Sequence, residues 1–330
     1  MTQPSAATPD PLLPPARSAR SPAGLFRGAR VAVIYGGPSS ERAVSLQSGG
    51  RVLSALHGLG YDAVGIDWRG PADNLWTLLR PPHGRPADVA FLALHGTYGE
   101  DGSVQGLLEC CAIPYSGSSV LASALAMDKV AARRVFDQEA IESPRWCVYR
   151  GPADVARIGL SLVVIPSREG SSVGISIVHD SAQLPAALTL ALQKHGVVLL
   201  EEYVAGREIQ VAVLDGHVLG EVEVRPAAGF YDYAAKYERG DTQYVVPAAL
   251  SPAERQLVHG MARRAHRALG CAGVTRTDIL LSESGRAVCL EVDTLPGLTE
   301  RSLVPMIAAH AGVPFPALCE RILDSAALKA

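Results

Sequence analysis

A short, continuous run of apolar residues near the start of the chain limits the fold more than any other feature. Residues 31–35 (Val-Ala-Val-Ile-Tyr) have the composition of a strand that is buried on both faces, as in a parallel sheet. Gly36-Gly37 ends this strand, and Glu41 falls in the first turn of a helix that a preceding serine can cap. Further strands over residues 62–66 and 89–94 complete a βαβ rhythm, which predicts a parallel α/β sheet.

Length and composition set the wider limits. The chain has 330 residues, enough for two or three domains, and 48% of them are apolar. No apolar run reaches the roughly 18 residues that a membrane helix needs. The net charge of −3 argues against a dominant nucleic-acid-binding surface. We therefore predict a protein without nucleic-acid or membrane partners.

The cysteines and the N-terminal segment bear on where the protein works. None of the six cysteines has a CxxC or zinc-type spacing, which favours buried or partly buried reduced thiols in a cytoplasmic protein. Residues 1–28 are rich in Pro, Ala and Ser and contain one acid. We interpret them as a disordered extension or an over-called start site, with an organelle transit peptide as the alternative.

A glycine- and serine-rich loop lies between two predicted strands in the middle of the chain. The strand at residues 162–165 leads into the loop at 167–174, and residues 175–178 form the next strand. Such a loop can point backbone N–H groups at a phosphate without interference from Cβ atoms. It lacks the GK[ST] sequence of a Walker loop. An ordinary β-hairpin with a flexible tip is the alternative.

Three carboxylates and a cation are predicted to share one face of a C-terminal hairpin. Glu291 and Asp293 are two residues apart on one strand, and Arg276 and Asp278 are two apart on its neighbour. Converging carboxylates suit Mg²⁺ or Mn²⁺, and a nearby cation suits an acyl phosphate or a tetrahedral intermediate. The alternative is a solvated charged surface. Lys129 and Lys236 are further single basic residues, and each of them alone is more often a surface charge.

These features occur in an order that resembles the D-alanine–D-alanine ligase family of ATP-grasp enzymes. The resemblance covers about residues 30 to 325, and its strength comes from the order and spacing of eight motifs that are each weak alone. They are Gly36-Gly37-Pro38-Ser39-Ser40-Glu41-Arg42, Ala93-Leu94-His95-Gly96, Gly99-Glu100-Asp101-Gly102, Met127-Asp128-Lys129, Pro166 to Gly174, Phe230 to Tyr237, Arg276-Thr277-Asp278 and Leu290 to Pro305.

The resemblance implies an ATP-grasp fold of class α/β, α+β in its C-terminal part, with an N-terminal parallel α/β domain. The implied domains are an N-terminal substrate-binding domain at 29–120, a central ATP-grasp subdomain at 121–203 and a C-terminal catalytic domain at 204–330. It further implies ATP and Mg²⁺ or Mn²⁺ as cofactors, D-alanine as substrate, and a homodimer. The implied reaction forms D-alanyl-D-alanine for peptidoglycan through an acyl phosphate.

The family roles transfer to this chain by position. Glu41 would hold the first substrate's ammonium and form a hydrogen-bonded trio with Ser171 and Tyr237. Tyr237 also points to an amine nucleophile, because depsipeptide-forming relatives differ there. The other implied groups are His95 near the first D-alanine, Arg276 and the Gly297 N–H at the oxyanion, Ser302 and Leu303 at the second carboxylate, Lys129, Ser171 and Lys236 at the phosphates, Glu201, Val204 and Glu208 around adenine and ribose, and Asp278, Glu291 and Asp293 at the metal.

The sequence departs from the family pattern at a few positions. Ile165 stands where a lysine usually contacts the nucleotide phosphates, and loss of such a charge-assisted bond costs roughly 1.5–3 kcal/mol. Asp293 stands where asparagine is usual and adds a negative charge that faces the phosphates. Leu295 and Glu300 also differ, and Glu300 lies close to the second-substrate residues.

Three interpretations remain open from the sequence. The first is an active D-alanine–D-alanine ligase, and the second is a paralogue that joins other amino acids. The third is a non-catalytic homologue in which Ile165 and Asp293 weaken ATP binding. For the loop from Arg225 to Val246 we predict a lid that becomes ordered over ATP.

Overall fold

The chain folds around three β-sheets. The computed structural model describes residues 24–71, 73–227 and 240–329. Each sheet is built from one continuous stretch of sequence, and the sheets follow one another along the chain. This arrangement places loops from distant parts of the sequence next to each other at the sheet edges.

The N-terminal sheet is parallel, which confirms the βαβ prediction. Its strand order is β2-β1-β3, and β1 is buried because helices cover the sheet. The strands are β1 (Arg30–Gly36), β2 (Asp62–Trp68) and β3 (Val89–Leu92), and the helices are α1 (Arg42–Gly58), α2 (Leu75–Leu79) and α3 (Ser103–Cys110).

The central sheet is antiparallel, with strand order β4-β7-β5-β6. The glycine- and serine-rich loop joins β5 to β6, as the sequence predicts. The elements are α4 (Val120–Met127), α5 (Lys129–Gln138), β4 (Trp146–Val148), α6 (Pro152–Ile158), β5 (Leu162–Pro166), β6 (Ser176–Val178), a 3₁₀ turn (Ser181–Gln183), α7 (Leu184–Lys194) and β7 (Val198–Glu202).

The C-terminal sheet is also antiparallel and has the order β10-β9-β8-β11-β12. Its last two strands are the predicted carboxylate hairpin. The elements are β8 (Arg207–Leu214), β9 (His217–Arg225), β10 (Gln243–Val245), α8 (Pro252–Ala268), β11 (Val274–Leu281), β12 (Ala287–Asp293), α9 (Leu303–His310) and α10 (Phe315–Asp324).

One apolar core joins the first and last parts of the chain. Val31 and Phe91 of the N-terminal sheet belong to the same buried cluster as Ile307 of α9 and Ile322 of α10. A second cluster lies between α8 and the C-terminal sheet. Because the first cluster is continuous, the carboxyl ends of β1 and β3 are held against the loop that follows β12.

The structure corrects two sequence predictions in this part of the chain. Residues 24–28, which we predicted to belong to a disordered extension, are described and make specific contacts. The N–H groups of Gly24 and Leu25 each donate to the Asp324 carboxylate at 2.9 Å. Helix α1 also starts later than predicted, since Glu41 is its N-cap residue and makes no capping bond through its side chain.

Two other expectations have partial outcomes. All six cysteines are unpaired, but Cys110 is exposed rather than buried. In the part of the chain that the structure describes, no single helix is long and apolar enough to cross a membrane. The bent pair α9 and α10 meets that test only by length and composition.

Candidate active site

A cavity of about 570 Å³ lies where the N-terminal sheet, the loop after β5 and the C-terminal sheet meet. We call it the junction cavity. Most of the residues that line it are polar or charged, and many of them come from loops at strand ends. The predicted site residues that line it are Glu41, His95, Lys129, Ser171, Arg276, Glu291, Asp293, Gly297, Ser302 and Leu303.

Glu41 and Ser171 connect two sheets across this cavity. Glu41 is buried, and its carboxylate accepts a hydrogen bond from the Ser171 hydroxyl. The loop approaches closely at Gly170, where a Cβ atom would lie 2.8 Å from Glu41 Oε2. Ser171 has a φ of 49°, in the left-handed region. The predicted third member of the trio, Tyr237, lies outside the described residues, as does Lys236.

Arg276 lies among the predicted metal-binding carboxylates on one face of the β11–β12 hairpin. The strand register pairs Arg276 with Asp293 and Asp278 with Glu291. The Arg276 guanidinium donates to both oxygens of Asp278, at 2.7 and 3.1 Å, and its Nη1 lies 3.0 Å from Asp293 Oδ2. Burial opposes the charged form of Arg276, but these carboxylates outweigh it and raise the Arg276 pKa further.

Lys129 links the loop after β5 to the same acidic face. It is the first residue of α5, and its Nζ donates to the Glu169 carbonyl at 2.8 Å. The same ammonium lies 3.1 Å from Glu291 Oε2. The Lys129 ammonium therefore contacts both the loop after β5 and the β11–β12 hairpin.

A second cavity, of about 360 Å³, lies between the central and C-terminal sheets. We call it the intersheet cavity. Lys129 and Glu291 line both cavities, so the two adjoin at these residues. The other predicted site residues that line it are Glu201, Val204, Glu208 and Asp278.

Ile165 forms part of the apolar wall of the intersheet cavity. It lies on β5 and packs with Val130 and Leu199 in a small buried cluster. Val163 and Ile177 extend this wall along the neighbouring strand positions. The wall suits the flat face of an aromatic base, but it supplies no hydrogen-bond donor at position 165.

Two residues that the sequence did not single out contact carboxylates of the intersheet cavity; Arg133 lines that cavity, and Gln210 lines the junction cavity. Arg133 is fully buried; its Nε donates to Glu201 Oε1 at 2.7 Å and its Nη1 to the Leu290 carbonyl at 2.5 Å. Gln210 donates to Glu208 Oε1 at 2.8 Å. Arg133 and Gln210 therefore orient the two carboxylates that the resemblance assigns to adenine and ribose.

His95 and Glu100 form a buried acid–base pair at the back of the junction cavity, with Nδ1 and Oε1 3.6 Å apart. Burial lowers the pKa of His95, but the contact with Glu100 outweighs this effect, so the pKa lies above its usual value. Burial and the nearby Asp293 raise the pKa of Glu100 to about 8. The sequence contained Glu100 within a matching motif, but nothing in its spacing predicted the contact with His95.

The loop after β12 forms the remaining wall of the junction cavity. A Cβ atom on Gly297 would lie 2.8 Å from Ser302 Oγ, so this position has no room for a side chain. Ser302 Oγ accepts the Thr299 N–H at 2.9 Å, and Leu303 begins helix α9. The predicted oxyanion and carboxylate groups thus lie close together, in this loop and at the first residue of α9.

Asp278, Glu291 and Asp293 were predicted to hold a metal. Among residues 24–71, 73–227 and 240–329, no three His, Cys, Asp or Glu side chains are gathered as they would be around an ion. The three carboxylates instead contact Arg276 and Lys129. Their donor chemistry still fits a hard divalent cation, because all three present carboxylate oxygens on one face of the hairpin.

Comparison with known proteins agrees with this geometry. Residues 72–118 match the family model described as D-ala D-ala ligase N-terminus, and residues 137–324 match D-ala D-ala ligase C-terminus. A D-alanine–D-alanine ligase from Anaeromyxobacter sp. (strain Fw109-5) is 48% identical over 93% of this chain and 100% of its own length. One from Geobacter sulfurreducens is 48% identical over 91% of this chain and 95% of its own.

Solved structures give the same result. The D-alanine–D-alanine ligase from Bacillus anthracis complexed with ATP has a TM-score of 0.78 and 31% identity, covering 90% of this chain and 97% of its own. The VanG D-Ala:D-Ser ligase from Enterococcus faecalis has a TM-score of 0.77 and 29% identity, over 90% and 98%. From the family models, the close relatives and the shared fold, we conclude that this chain belongs to the D-alanine–D-alanine ligase family.

Proposed function

We propose that the protein joins two D-alanines to D-alanyl-D-alanine with conversion of ATP to ADP and phosphate, as a step of peptidoglycan synthesis. The adjoining cavities carry the proposal, because they meet at Lys129 and Glu291. A nucleotide in the intersheet cavity would present its terminal phosphate at that meeting point. The carboxylate of an amino acid in the junction cavity could then attack it.

The residues around the junction cavity suit each step of this reaction. The Glu41 carboxylate would bind the ammonium of the first D-alanine. The hydrogen bond from Ser171 would hold the Glu41 carboxylate and the loop after β5 together. The first D-alanine's carboxylate oxygen would bond to the γ-phosphorus as the bond to ADP breaks. The second D-alanine's amine would then attack the carbonyl carbon, and phosphate would leave. Arg276 and the Gly297 N–H would stabilise the tetrahedral oxyanion.

Two kinds of group would counter the phosphate charge. Asp278, Glu291 and Asp293 would hold Mg²⁺ or Mn²⁺, which would neutralise phosphate charge during transfer. Lys129 would contact the phosphates directly, and Lys236 is expected to do the same from the predicted lid. We further propose a cytoplasmic homodimer and domains at 29–120, 121–203 and 204–330, on the basis of the family resemblance.

A second candidate function differs only in the acceptor. Glu300 lines the junction cavity beside Ser302 and Leu303, close to the expected site of the second substrate. The likeness to a D-Ala:D-Ser ligase shows that this fold can carry a different acceptor specificity. D-Serine is therefore the first alternative acceptor to test.

The test is release of phosphate from ATP and Mg²⁺ by the purified protein, with each amino acid added separately. We expect release that requires D-alanine, with D-alanyl-D-alanine as product by mass spectrometry. L-Alanine serves as the control and should give no release. Release with D-alanine plus D-serine, but not with D-alanine alone, would favour the second function. No release with any amino acid at millimolar ATP would favour a non-catalytic homologue.

A further inference from the structure

Helix α1 holds the loop that carries Gly297 through contacts that the proposed roles above do not include. We call residues 294–299 the Gly297 loop. Ser48 and Arg51 lie one turn apart on α1, and their side chains contact the backbone N–H and the backbone carbonyl of Leu298. The Leu298 N–H donates to Ser48 Oγ at 3.1 Å, and Arg51 Nη1 donates to the Leu298 carbonyl at 2.7 Å. The helix thus fixes the backbone directly after Gly297.

His95 contacts the backbone on the other side of Gly297. We call the contacts of Ser48, Arg51 and His95 with the backbone of Leu295 and Leu298 the loop contacts. The Nδ1 of His95 lies 2.9 Å from the Leu295 carbonyl, which can only accept, so Nδ1 carries the proton. Nε2 lies 3.2 Å from the Ser48 hydroxyl; it accepts from Ser48 in the neutral ring and donates to it in the charged ring. The hydrogen bonds form one circuit from the Leu298 N–H through Ser48 and His95 to the Leu295 carbonyl.

Arg51 is itself held in place. Its guanidinium carbon lies 4.1 Å from the centre of the Phe315 ring, at the start of α10. This distance is well within the range of a favourable cation–π contact. The guanidinium therefore cannot swing away from the Leu298 carbonyl without losing a second interaction.

We propose that Ser48 and Arg51 are positioning residues for the ligation reaction, a role that rests on the proposed function. Glycine has more backbone freedom than any other residue, so Gly297 alone does not fix the direction of its N–H. Contacts to Leu295 and Leu298 on either side restrict that freedom. The contacts keep the Gly297 N–H directed at the point where the oxyanion develops. This direction matters because a displacement of about 1 Å can lower the rate of reaction by about 100-fold.

The chain offers a matched control for Arg51. Arg80 also stacks on an aromatic ring, with its guanidinium carbon 4.8 Å from the Trp76 ring centre, and also donates to a backbone carbonyl, that of Cys111, at 3.1 Å. Cys111 follows helix α3 and does not line the junction cavity. Arg80→Met therefore removes the same kinds of contact without touching the Gly297 loop.

The first measurement is amide hydrogen exchange of the peptide that covers residues 294–299. We expect Arg51→Met to speed exchange there by about 10-fold or more, because the Leu298 carbonyl loses its partner, and Arg80→Met to leave it unchanged. This readout needs no enzymatic activity. It therefore tests whether the loop contacts restrain the Gly297 loop even if the protein fails to join D-alanine. Failure to join D-alanine would overturn only the proposed function. Unchanged exchange in Arg51→Met would show that the loop contacts do not restrain the loop.

The second measurement separates positioning from substrate binding. We expect Arg51→Met to lower kcat by about 10- to 100-fold while KM for ATP stays within about twofold, and Arg51→Lys to restore part of the loss. Ser48→Ala, which removes the hydrogen bond to the Leu298 N–H, should also lower kcat. Faster exchange with unchanged kcat would overturn the positioning role, as would an equal loss of kcat in Arg80→Met.

Discussion

The junction and intersheet cavities differ in how closely they follow the family pattern. The junction cavity carries every substrate-side residue that the resemblance assigns to a described position, and these residues contact one another in pairs, such as Glu41 with Ser171. The intersheet cavity keeps its acidic residues but has Ile165 in place of the usual lysine. Every residue that we propose for substrate binding in the described part of the chain is thus present, while at the proposed nucleotide end an apolar contact stands where the resemblance leads us to expect a cation.

This difference shows how a charge can be lost without damage to the fold. Ile165 packs with Val130 and Leu199, so the substitution adds buried apolar area where a lysine stem would pass. We expect the cost to fall on phosphate binding alone. Lys129, whose ammonium contacts the Glu169 carbonyl and Glu291, would then carry more of the phosphate interaction.

The largest effect is expected at the substrate end. Arg276→Met should lower kcat by about 10³-fold, because it removes an oxyanion donor and leaves Asp278 and Asp293 without their shared cation. D-alanine-dependent phosphate release measures this loss. Arg276→Lys keeps the charge but not the two-oxygen contact with Asp278, so its kcat should lie between those of Arg276→Met and the wild type. A loss below about 10-fold would show that the Gly297 N–H acts without Arg276.

The next effect should appear as weaker binding of the first D-alanine. Glu41→Gln removes the negative charge that would face the substrate ammonium, and we expect KM for that D-alanine to rise about 10- to 100-fold. Steady-state kinetics with varied D-alanine measures it. Glu283→Gln, in the exposed turn between β11 and β12, is the control. Equal KM values for Glu41→Gln and wild type would mean that the ammonium binds elsewhere.

At the nucleotide end, restoring the cation should improve binding. Ile165→Lys should lower Kd for ATP by about 10-fold, as one charge-assisted bond is gained. Titration calorimetry with ATP and Mg²⁺ measures this, and Ile165→Met controls for the lost packing with Val130 and Leu199. If the lysine and methionine variants bound ATP equally, the phosphate charge would already be satisfied, and the contrast between the two cavities would disappear.

Much of the fold was predictable because it depends on local patterns. The parallel sheet followed from the apolar run at residues 31–35, and the carboxylate hairpin followed from the two-residue spacing of Glu291 and Asp293. These two predictions and the family resemblance are confirmed. The lid prediction remains, because residues 228–239 lie outside the described part, although residues 243–245 form the edge strand β10.

The missed residues depend on contacts between distant segments. Arg133 looks like a surface charge on an amphipathic helix, but it is buried because it reaches Glu201, 68 residues away. Arg51 and Leu298 are separated by 247 residues. No spacing rule within one element could predict such pairs, since they arise when separate elements pack against each other. Glu41 shows the same limit, because a helix-cap pattern could not foresee that its carboxylate would contact Ser171.

The smallest effect concerns Asp293, which lines the junction cavity two residues from Glu291, a residue that lines both cavities. Asp293→Asn should tighten ATP binding about two- to threefold by removing a charge that faces the phosphates. The same charge helps to raise the pKa of Glu100 to about 8, from an ordinary value of 4.5. Because the folded-state pKa is the higher one, the contribution of Glu100 to stability is full below pH 4.5 and is lost as pH rises towards 8.

Asp293→Asn should therefore change how stability depends on pH. Without the neighbouring charge, the Glu100 pKa falls, and the free energy of unfolding should gain about 1 kcal/mol more at pH 8 than at pH 5.5. Denaturant unfolding at the two pH values measures this difference. Asp62→Asn, at an exposed position of the N-terminal sheet, controls for charge removal by itself and should act equally at both. An equal effect of Asp293→Asn at both pH values would mean that the charge of Asp293 does not raise the pKa of Glu100. Any change in ATP binding in Asp293→Asn would then be independent of Glu100.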